Sequence, residues 1–412
     1  MRFRFCFILL FFVSFQIYAQ DITSVFKNNV ITVNKDIDLK GKSIVLLENS
    51  TLIFNGGSIS NGTLIGNNSS IEAGSYYIFH DVNLNGTWNV SESYPEWFGA
   101  KANNIIDNSE AISKVFAITS GSVKFTRGCY YISSAIHSLK ANIDIENNDT
   151  IRALSPMSYM ILLDSEDYGV FSLRTNASVS GGGVIDGNRK AQCGIVLRKC
   201  LGAKICNLTI LNTLKYGFQA ALKSTESGNS IVENVNFLNP HSLAGAVAVN
   251  NNRADCTYQN LSIVNFQSAV VSSAENAKFI NIQSWITTNK FWENSIAFDC
   301  YSPYIIMYGC SADTMRRLIK CHNDYFFASL VNCAAFKNDK VVSDDIGKIY
   351  PPVIIDKNGI NNSQIQMIGG VYWYNIPYQI FSEVSSSDQI LINRYNSNKA
   401  NIKSNISNSS NK

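Results

Sequence analysis

Two short segments of the sequence have matching patterns and contain residue types that could transfer protons. Residues 295–300 read Ser-Ile-Ala-Phe-Asp-Cys, and residues 318–322 read Leu-Ile-Lys-Cys-His. Both are strand-sized, so we interpret them as the same strand on consecutive coils of a repeating structure. Aligning Cys300 with Cys321 predicts that both thiols point inward, because side chains alternate along a strand.

This register predicts a polar cluster on the outer face. Asp299 lies beside Lys320, and His322 follows two residues along. A lysine can neutralise a sugar carboxylate, while histidine or tyrosine can move the protons that a uronate lyase must transfer. The candidate catalytic residues are therefore Lys320, His322, Asp299 and Tyr325, and the candidate substrate-binding residues nearby are Arg316 and Arg317. The alternative explanation of this cluster is a surface ion pair between Asp299 and Lys320 with a histidine beside it.

Aromatic residues form a second candidate group. Trp285, Phe291 and Trp292 could make a platform on which sugar rings stack, so Trp285 and Trp292 are added to the candidate substrate-binding residues. A loop packed on the core would explain the same residues equally well.

The remaining acidic residues have simpler explanations. Asp186 precedes a glycine, and we interpret it as a turn residue that bonds its own backbone. Asp164, Glu166 and Asp167 could bind calcium, but three acids in one loop without a further ligand are more typical of a hydrated turn. No metal or other cofactor is predicted.

A phrase that begins and ends with asparagine recurs along the chain. It begins at Asn207, Asn234 and Asn260, with weaker copies at Asn281 and Asn332, and the first three intervals are 27, 26 and 21 residues. Intervals of roughly 20 to 50 residues indicate stacked repeats, and the period-two alternation indicates strands. Because asparagine tolerates the left-handed backbone region, we predict it at turns, with each amide bonded to the equivalent amide of the next coil.

Composition favours short strands over helices. The 412 residues are 46% hydrophobic but only 16% charged, against about 25% charged in an average globular domain. Asparagine replaces much of the charge, and this composition argues against a helical bundle or coiled coil. A net charge of +3 without a basic stripe argues against nucleic acid as a partner.

The N-terminus has the pattern of a secretory signal peptide. Arg2 and Arg4 precede an apolar run that ends near Ile17, and Ala19 supplies the small residue before a cleavage site. The run is too short to cross a bilayer and no later stretch is long enough, so no membrane span is predicted. The expected location is secreted, periplasmic or at the cell surface.

Cleavage after residue 19 would remove Cys6 and leave nine of the ten cysteines. Nine is odd, so at least one thiol is unpaired. Neighbouring coils hold side chains about 4.8 Å apart with parallel Cβ directions, which suits disulfide torsions poorly. We favour stacked free thiols that act as small hydrophobic groups, and leave pairing open.

The region before the repeats has a similar sequence pattern. Residues 44–90 combine short apolar phrases with Gly and Asn turns, so we interpret them as further, more irregular coils. One short helix is predicted near residues 109–117, where Asp107 and Glu110 resemble a capping box. Its apolar face comprises Ala111, Ile112, Val115, Phe116 and Ile118. Such a helix would cover an open end of the stack.

Several motifs together resemble the pectate lyase superfamily. Residues 96–101 (Glu-Trp-Phe-Gly-Ala-Lys), the helix cap at Asp107, and the Gly-rich turns and strands of residues 121–132 follow the order of that family's opening segment. Residues 181–188 are similar to the Gly-x-Ile-Asp-Gly phrase of polygalacturonases and phage tailspike enzymes. The resemblance covers about residues 94–338. It implies an all-β, right-handed single-stranded parallel β-helix that contacts acidic polysaccharides.

The catalytic pattern of polygalacturonases is missing. Those enzymes carry an Asn-Thr-Asp phrase and an Asp-Asp pair on successive coils, followed by Gly-His-Gly and Arg-Ile-Lys, and the paired carboxylates supply the acid and the base. Neither of the last two phrases occurs in this chain. The positions expected to carry the carboxylates hold Ala246, Ala248, Gln267 and Ala269. Hydrolysis of the polygalacturonase type is therefore not predicted.

The sequence predicts four segments and leaves two classes of function open. The segments are a signal peptide (1–19), irregular coils (20–93), a β-helix domain (94–395) and a disordered polar tail (396–412). The first class is a secreted protein that acts on or binds an acidic polysaccharide, with a lyase favoured over a hydrolase. The alternative is a non-catalytic glycan-binding or structural surface module. The oligomeric state stays open.

Overall fold

The structure is a computed structural model that describes residues 22–165, 173–220, 228–323, 325–336, 341–343, 353–357, 362–372, 379–381 and 389–393. The predicted signal peptide and polar tail lie outside these residues. The chain forms a right-handed parallel β-helix with strands from Val30–Val33 to Gln389–Asn393, which confirms the predicted fold class. No helix in the described part is long and apolar enough to span a membrane.

Three parallel sheets organise the described strands. Sheet I contains Val30–Val33, Ile37–Asp38, Ser43–Val45, Thr51–Phe54, Ile59–Glu72 and Phe79–Trp88. Sheet II contains Ile136–Ser138, Met157–Leu163, Ala191–Leu197, Tyr216–Ala220, Val247–Asn251, Ser268–Ser272, Ile296–Cys300, Arg317–Cys321, Val353–Asp356 and Gln379–Phe381. Sheet III contains Val90–Ser93, Thr119–Phe125, Cys129–Ile132, Asn142–Ile145, Thr150–Ala153, Ser178–Ser180, Val184–Asp186, Lys204–Leu211, Ile231–Leu238, Thr257–Val264, Lys278–Trp285, Tyr304–Tyr308, Ser311–Asp313, Phe326–Val331, Ala334–Phe336, Ser363–Ile368, Val371–Tyr372 and Gln389–Asn393. The other described elements are a two-strand pair, Arg174–Thr175 with Cys200–Leu201, the 3₁₀ turns Ile22–Phe26, Pro95–Phe98 and Trp292–Asn294, and the helix Ser109–Ile118.

The recurring asparagines bend the long strands of sheet III. Asn207, Asn234, Asn260 and Asn281 all have φ between 50° and 56°. The amide nitrogens of Asn234, Asn260 and Asn281 each donate to the asparagine amide oxygen of the previous coil, at 3.1, 3.1 and 2.9 Å. The predicted ladder is therefore confirmed. The left-handed conformation turns the chain within one strand, and the side-chain bonds hold successive turns in register.

The core is a stack of inward-facing side chains. In sheet II, Phe218, Val249, Val270, Phe298 and Ile319 follow one another in register, and all are almost completely buried. Burying one such side chain stabilises the fold by about 1.5–3 kcal/mol. Because every coil contributes to the same column, each strand has its position fixed by the coils on either side.

The predicted helix is confirmed at Ser109–Ile118, and it packs against Ile136–Ser138, the first strand of sheet II. It therefore covers an edge that would otherwise expose unpaired backbone groups. The predicted capping box is wrong. Asn108 begins the helix without a side-chain cap, because its Oδ1 accepts from the Lys101 backbone N–H. The Asp107 carboxylate accepts from Ser109 and from Ser133 of the adjoining turn. Glu110 instead pairs with a lysine one helical turn later.

All nine cysteines beyond residue 19 are free thiols, and all except Cys129 are buried. Cys300 and Cys321 occupy equivalent places on neighbouring coils of sheet II. Burial raises the pKa of the Cys300 thiol well above its ordinary value. The Cys300 thiol therefore stays neutral, and the buried thiols act as small hydrophobic groups, as the sequence favours.

Candidate functional site

The outer face of sheet II brings the candidate residues together. Cys300 pairs in register with Cys321, and each is 2% exposed, so both thiols face the core. The adjacent pair in the same register is Asp299 with Lys320, and both residues are partly exposed. The predicted register and facing are confirmed.

His322 forms a hydrogen bond with Asp299. Its Nε2 lies 2.7 Å from Asp299 Oδ1. A carboxylate can only accept, so Nε2 carries the proton of the neutral imidazole and Nδ1 is left as the basic nitrogen. Asp299 thereby fixes the tautomer of the ring. We call Asp299 and His322 the His322 pair.

Tyr301 adds a further proton-carrying group that the sequence analysis missed. Its ring stacks on the His322 imidazole, with centroids 4.0 Å apart and an interplanar angle of 2°. Burial and the nearby Asp299 charge raise the pKa of the phenol above its ordinary value, so it stays protonated at neutral pH. A signal was present in the sequence: Tyr301 follows Cys300 as His322 follows Cys321, which places both in one outward column.

Lys320 lies in register between two carboxylates, Asp299 and Asp356. Both are engaged elsewhere: Asp299 with His322 at 2.7 Å, and Asp356 with Arg317 at 2.5 Å. Within the described part of the chain, the Lys320 ammonium makes no ion pair. The Lys320 ammonium is therefore a cation that a ligand could pair with beside the His322 pair.

The two candidate arginines are bound within the protein. Arg316 and Arg317 each donate from Nη1 to the backbone carbonyl of Glu293, at 3.0 and 2.5 Å. They connect the loop at Glu293 to the strand that carries Lys320. Tyr325 is 69% exposed and lies in the turn before Phe326–Val331, so it does not belong to the face of sheet II.

Comparison with known proteins finds likeness at the level of fold. No protein-family model and no curated protein matches the sequence. Among solved structures, ORF18 of Geobacillus virus E2 matches with a TM-score of 0.52 and 10% identity, over 77% of this chain and 60% of that one. The enzymatically active domain of tailspike protein 2 from bacteriophage CBA120 matches with 0.51 and 13%, over 74% and 47%. The gp42 tailspike of Acinetobacter phage vb_AbaP_AS12 matches with 0.51 and 11%, over 74% and 57%.

This chain has a right-handed parallel β-helix fold. At such identities the likeness concerns the fold alone. The chain spans 47% to 60% of the length of those three proteins.

The aromatic residues do not form a platform on the candidate face of the β-helix. Trp292 is 1% exposed and Phe291 is 5% exposed, because the short helix Trp292–Asn294 directs them into the core. Trp285 is partly buried at the end of Lys278–Trp285, on sheet III. The packed-loop alternative therefore describes Phe291 and Trp292.

Asp186 is held as a turn residue. Its Oδ1 accepts from the Asn188 backbone at 2.8 Å and from Asn212 Nδ2 at 2.9 Å. Its Oδ2 accepts from Arg152 Nε at 2.8 Å. The predicted bond to its own turn is confirmed, and both oxygens are engaged.

A second aspartate–histidine pair lies at the other end of sheet II. His137 Nε2 lies 3.1 Å from Asp164 Oδ2, and Arg198 Nε lies 2.9 Å from the same oxygen. Asp164 is fully buried, and we call this group the His137 pair. Among the described residues no group could hold a metal ion; of the three calcium candidates, Glu166 and Asp167 lie outside them.

Three of the four positions compared with polygalacturonases are buried. Ala246, Ala248 and Ala269 are completely buried, and Ala248 and Ala269 lie inside the strands. On these two coils the outward position of the Asp299 column is held by Asn250 and Val271. Neither is a carboxylate.

Proposed function

We propose that this protein acts on an acidic polysaccharide that lies along the outer face of sheet II. The observation that carries the proposal is the Lys320 ammonium, which is uncommitted within the described residues while both carboxylates beside it are engaged. A sugar carboxylate is the complement of such a cation. The tailspike domain that this chain resembles in fold is described as enzymatically active, which supports the proposal of a catalytic role here.

The chemistry that fits these groups is β-elimination. Lys320 pairs with the uronate carboxylate and so makes the adjacent C–H more acidic. His322 Nδ1 takes that proton, a carbon–carbon double bond forms, and the bond to the glycosidic oxygen breaks. The Tyr301 phenol then protonates the leaving oxygen. Asp299 holds the imidazole and stabilises it once it is charged.

A second candidate is binding without cleavage. The stacked rings of Tyr301 and His322 make a flat surface beside Lys320, which suits a sugar ring as well as it suits proton transfer. In that case Lys320 supplies charge recognition and the rings supply contact area.

We further propose that the protein is exported. The predicted signal peptide supports this location, and a substrate outside the cell agrees with it. Detection of mature protein beginning near Gln20 in a periplasmic or culture fraction is the direct measurement.

The test uses purified mature protein and a series of uronic-acid polymers with neutral polymers beside them. Absorbance from an unsaturated product reports elimination, reducing ends without such absorbance report hydrolysis, and co-sedimentation with insoluble polymer reports binding. Lys320→Gln should lose both activity and binding, whereas Lys278→Gln, an exposed lysine of sheet III, should retain both. Hydrolysis would overturn the lyase mechanism, and no difference between the two variants would overturn the site.

A further inference from the structure

A cavity of about 330 Å³ lies away from sheet II, where the N-terminal coils meet the segment that leads into the helix. Its wall comes from three parts of the chain: residues 75–77, the stretch from Glu96 to Ala102, and Arg127 in the turn after Thr119–Phe125. The volume is in the range of sites for small molecules, and none of its described lining residues belongs to sheet II.

Two cations line this cavity. Arg127 donates from Nε and Nη2 to Ser75 Oγ, at 3.1 and 2.8 Å. Its Nη1 and the ammonium of Lys101 have no partner within the described residues. The backbone beneath both is fixed, since Lys101 N donates to Asn108 Oδ1 at 2.7 Å and Asn103 Nδ2 donates to the Arg127 carbonyl at 3.0 Å. The cavity therefore offers positioned positive charge.

The same wall contains a buried carboxyl group. Glu96 is 7% exposed, and its Oε1 accepts from the Tyr130 hydroxyl at 2.5 Å. Its Oε2 is buried and has no hydrogen-bond partner among the described residues. Burial raises the pKa of Glu96 above its ordinary value. A buried polar atom without a partner is uncommon in native proteins and calls for a ligand or another explanation.

Two tyrosine rings complete the wall. Tyr76 is fixed by the Gly56 backbone N–H, which donates to its hydroxyl at 3.1 Å. The Tyr77 ring lies against Gly99, where an added Cβ would come within 3.0 Å of it, and the φ of 85° also favours glycine there. Tyr77 is 42% exposed. Such rings form contact surfaces for the C–H faces of sugars.

We propose that this cavity binds one acidic sugar residue. Arg127 and Lys101 hold the carboxylate, Glu96 is the partner for a hydroxyl, and the tyrosine rings contact the pyranose. The proposal does not rest on the function of sheet II, because no described residue is shared between the two places.

Calorimetric titration with free glucuronate tests the proposal, with glucose and inorganic phosphate as the comparison ligands. Glucuronate should bind at least roughly tenfold more tightly than glucose, because charge-assisted hydrogen bonds are the stronger ones. Arg127→Gln and Lys101→Gln should each weaken it by roughly tenfold, while Lys35→Gln, an exposed lysine of the N-terminal coils, should leave it unchanged. Lys101→Gln alone decides the matter if Arg127→Gln fails to fold.

A pH series separates the role of Glu96 from simple anion binding. Wild-type affinity for glucuronate should fall as pH rises through the pKa of Glu96, because the ionised carboxylate repels the ligand. Glu96→Gln keeps the bond from Tyr130 and should remove this fall, while Asp149, whose charge also raises the pKa of Glu96, is present in both proteins. Equal affinity for glucose and glucuronate overturns the proposal, as does unchanged binding in Lys101→Gln. Phosphate binding as tight as glucuronate would show a bare anion site and overturn the assignment of a sugar.

Discussion

The two aspartate–histidine pairs on sheet II contain the same residue types but differ in the cations around the carboxylate. In the His137 pair, Asp164 is fully buried and Arg198 binds the same carboxylate oxygen as the histidine. In the His322 pair, the Asp299 side chain is 13% exposed and forms no ion pair with an arginine of the described residues. The nearest cation in register is Lys320, which stays uncommitted in the described structure.

The two pairs differ in whether the neighbouring cation binds the carboxylate. Burial alone would raise the pKa of Asp164, but the hydrogen bonds from Arg198 and His137 lower it below its ordinary value. The arginine thus neutralises the buried carboxylate and makes the His137 pair a structural unit. At the His322 pair the charge stays available for a ligand. A histidine beside an aspartate is therefore not by itself a sign of catalysis.

Activity should distinguish the pairs by the largest margin. His322→Gln should lower turnover of the acidic polymer by about 10²–10⁴-fold, the usual contribution of general acid–base catalysis. His137→Gln is the matched control and should leave turnover unchanged. Initial rates of unsaturated product formation measure both, and equal losses in the two variants would contradict the assignment.

For the free energy of unfolding, we expect the larger effect at the His137 pair and the smaller effect at the His322 pair. Asp164→Asn should lower the free energy of unfolding by about 1.5–3 kcal/mol, because Arg198 loses a charged partner in a buried place. Asp299→Asn removes a partly exposed pair and should cost less than about 1 kcal/mol. Urea titrations compare the two. A larger loss for Asp299→Asn would reverse the structural assignment.

The Asp164 contribution should also depend on pH in a defined direction. Its pKa is lowered on folding, so the stabilisation is fully present above the unfolded value of about 3.9 and is lost as pH falls through the folded value. A His137→Gln background prevents titration of the imidazole. In that background, the difference in the free energy of unfolding between the protein with Asp164 and the Asp164→Asn variant should be constant from about pH 5 to 8. It should disappear below about pH 4. A gap that widens on acidification would contradict this sign.

The smallest expected effect sharpens the role of Lys320. Because its ammonium makes no ion pair in the described structure, Lys320→Met should change the free energy of unfolding by less than about 0.5 kcal/mol. Binding of the acidic polymer should nevertheless be lost. A loss of stability similar to that of Asp164→Asn would show that Lys320 supports the fold instead.

The sequence by itself determined the features that obey local rules. The asparagines at Asn207, Asn234 and Asn260 predicted both the turns and the ladder, because few other residues accept a positive φ. The alignment of Cys300 with Cys321 then predicted the facing of their neighbours, since side chains alternate with a period of two.

Only the tertiary structure decided what depends on loops and on coils far apart in sequence. Trp292 enters the core because a short helix turns it inward, and no local pattern reveals that direction. Asp356 is the register partner of Lys320 although 36 residues separate them in sequence, and Arg198 meets Asp164 across 34 residues. Such contacts depend on how many residues each turn contains, and that number varies from coil to coil. The sequence therefore predicted the outward column, and the fold determined which of its charges are already engaged.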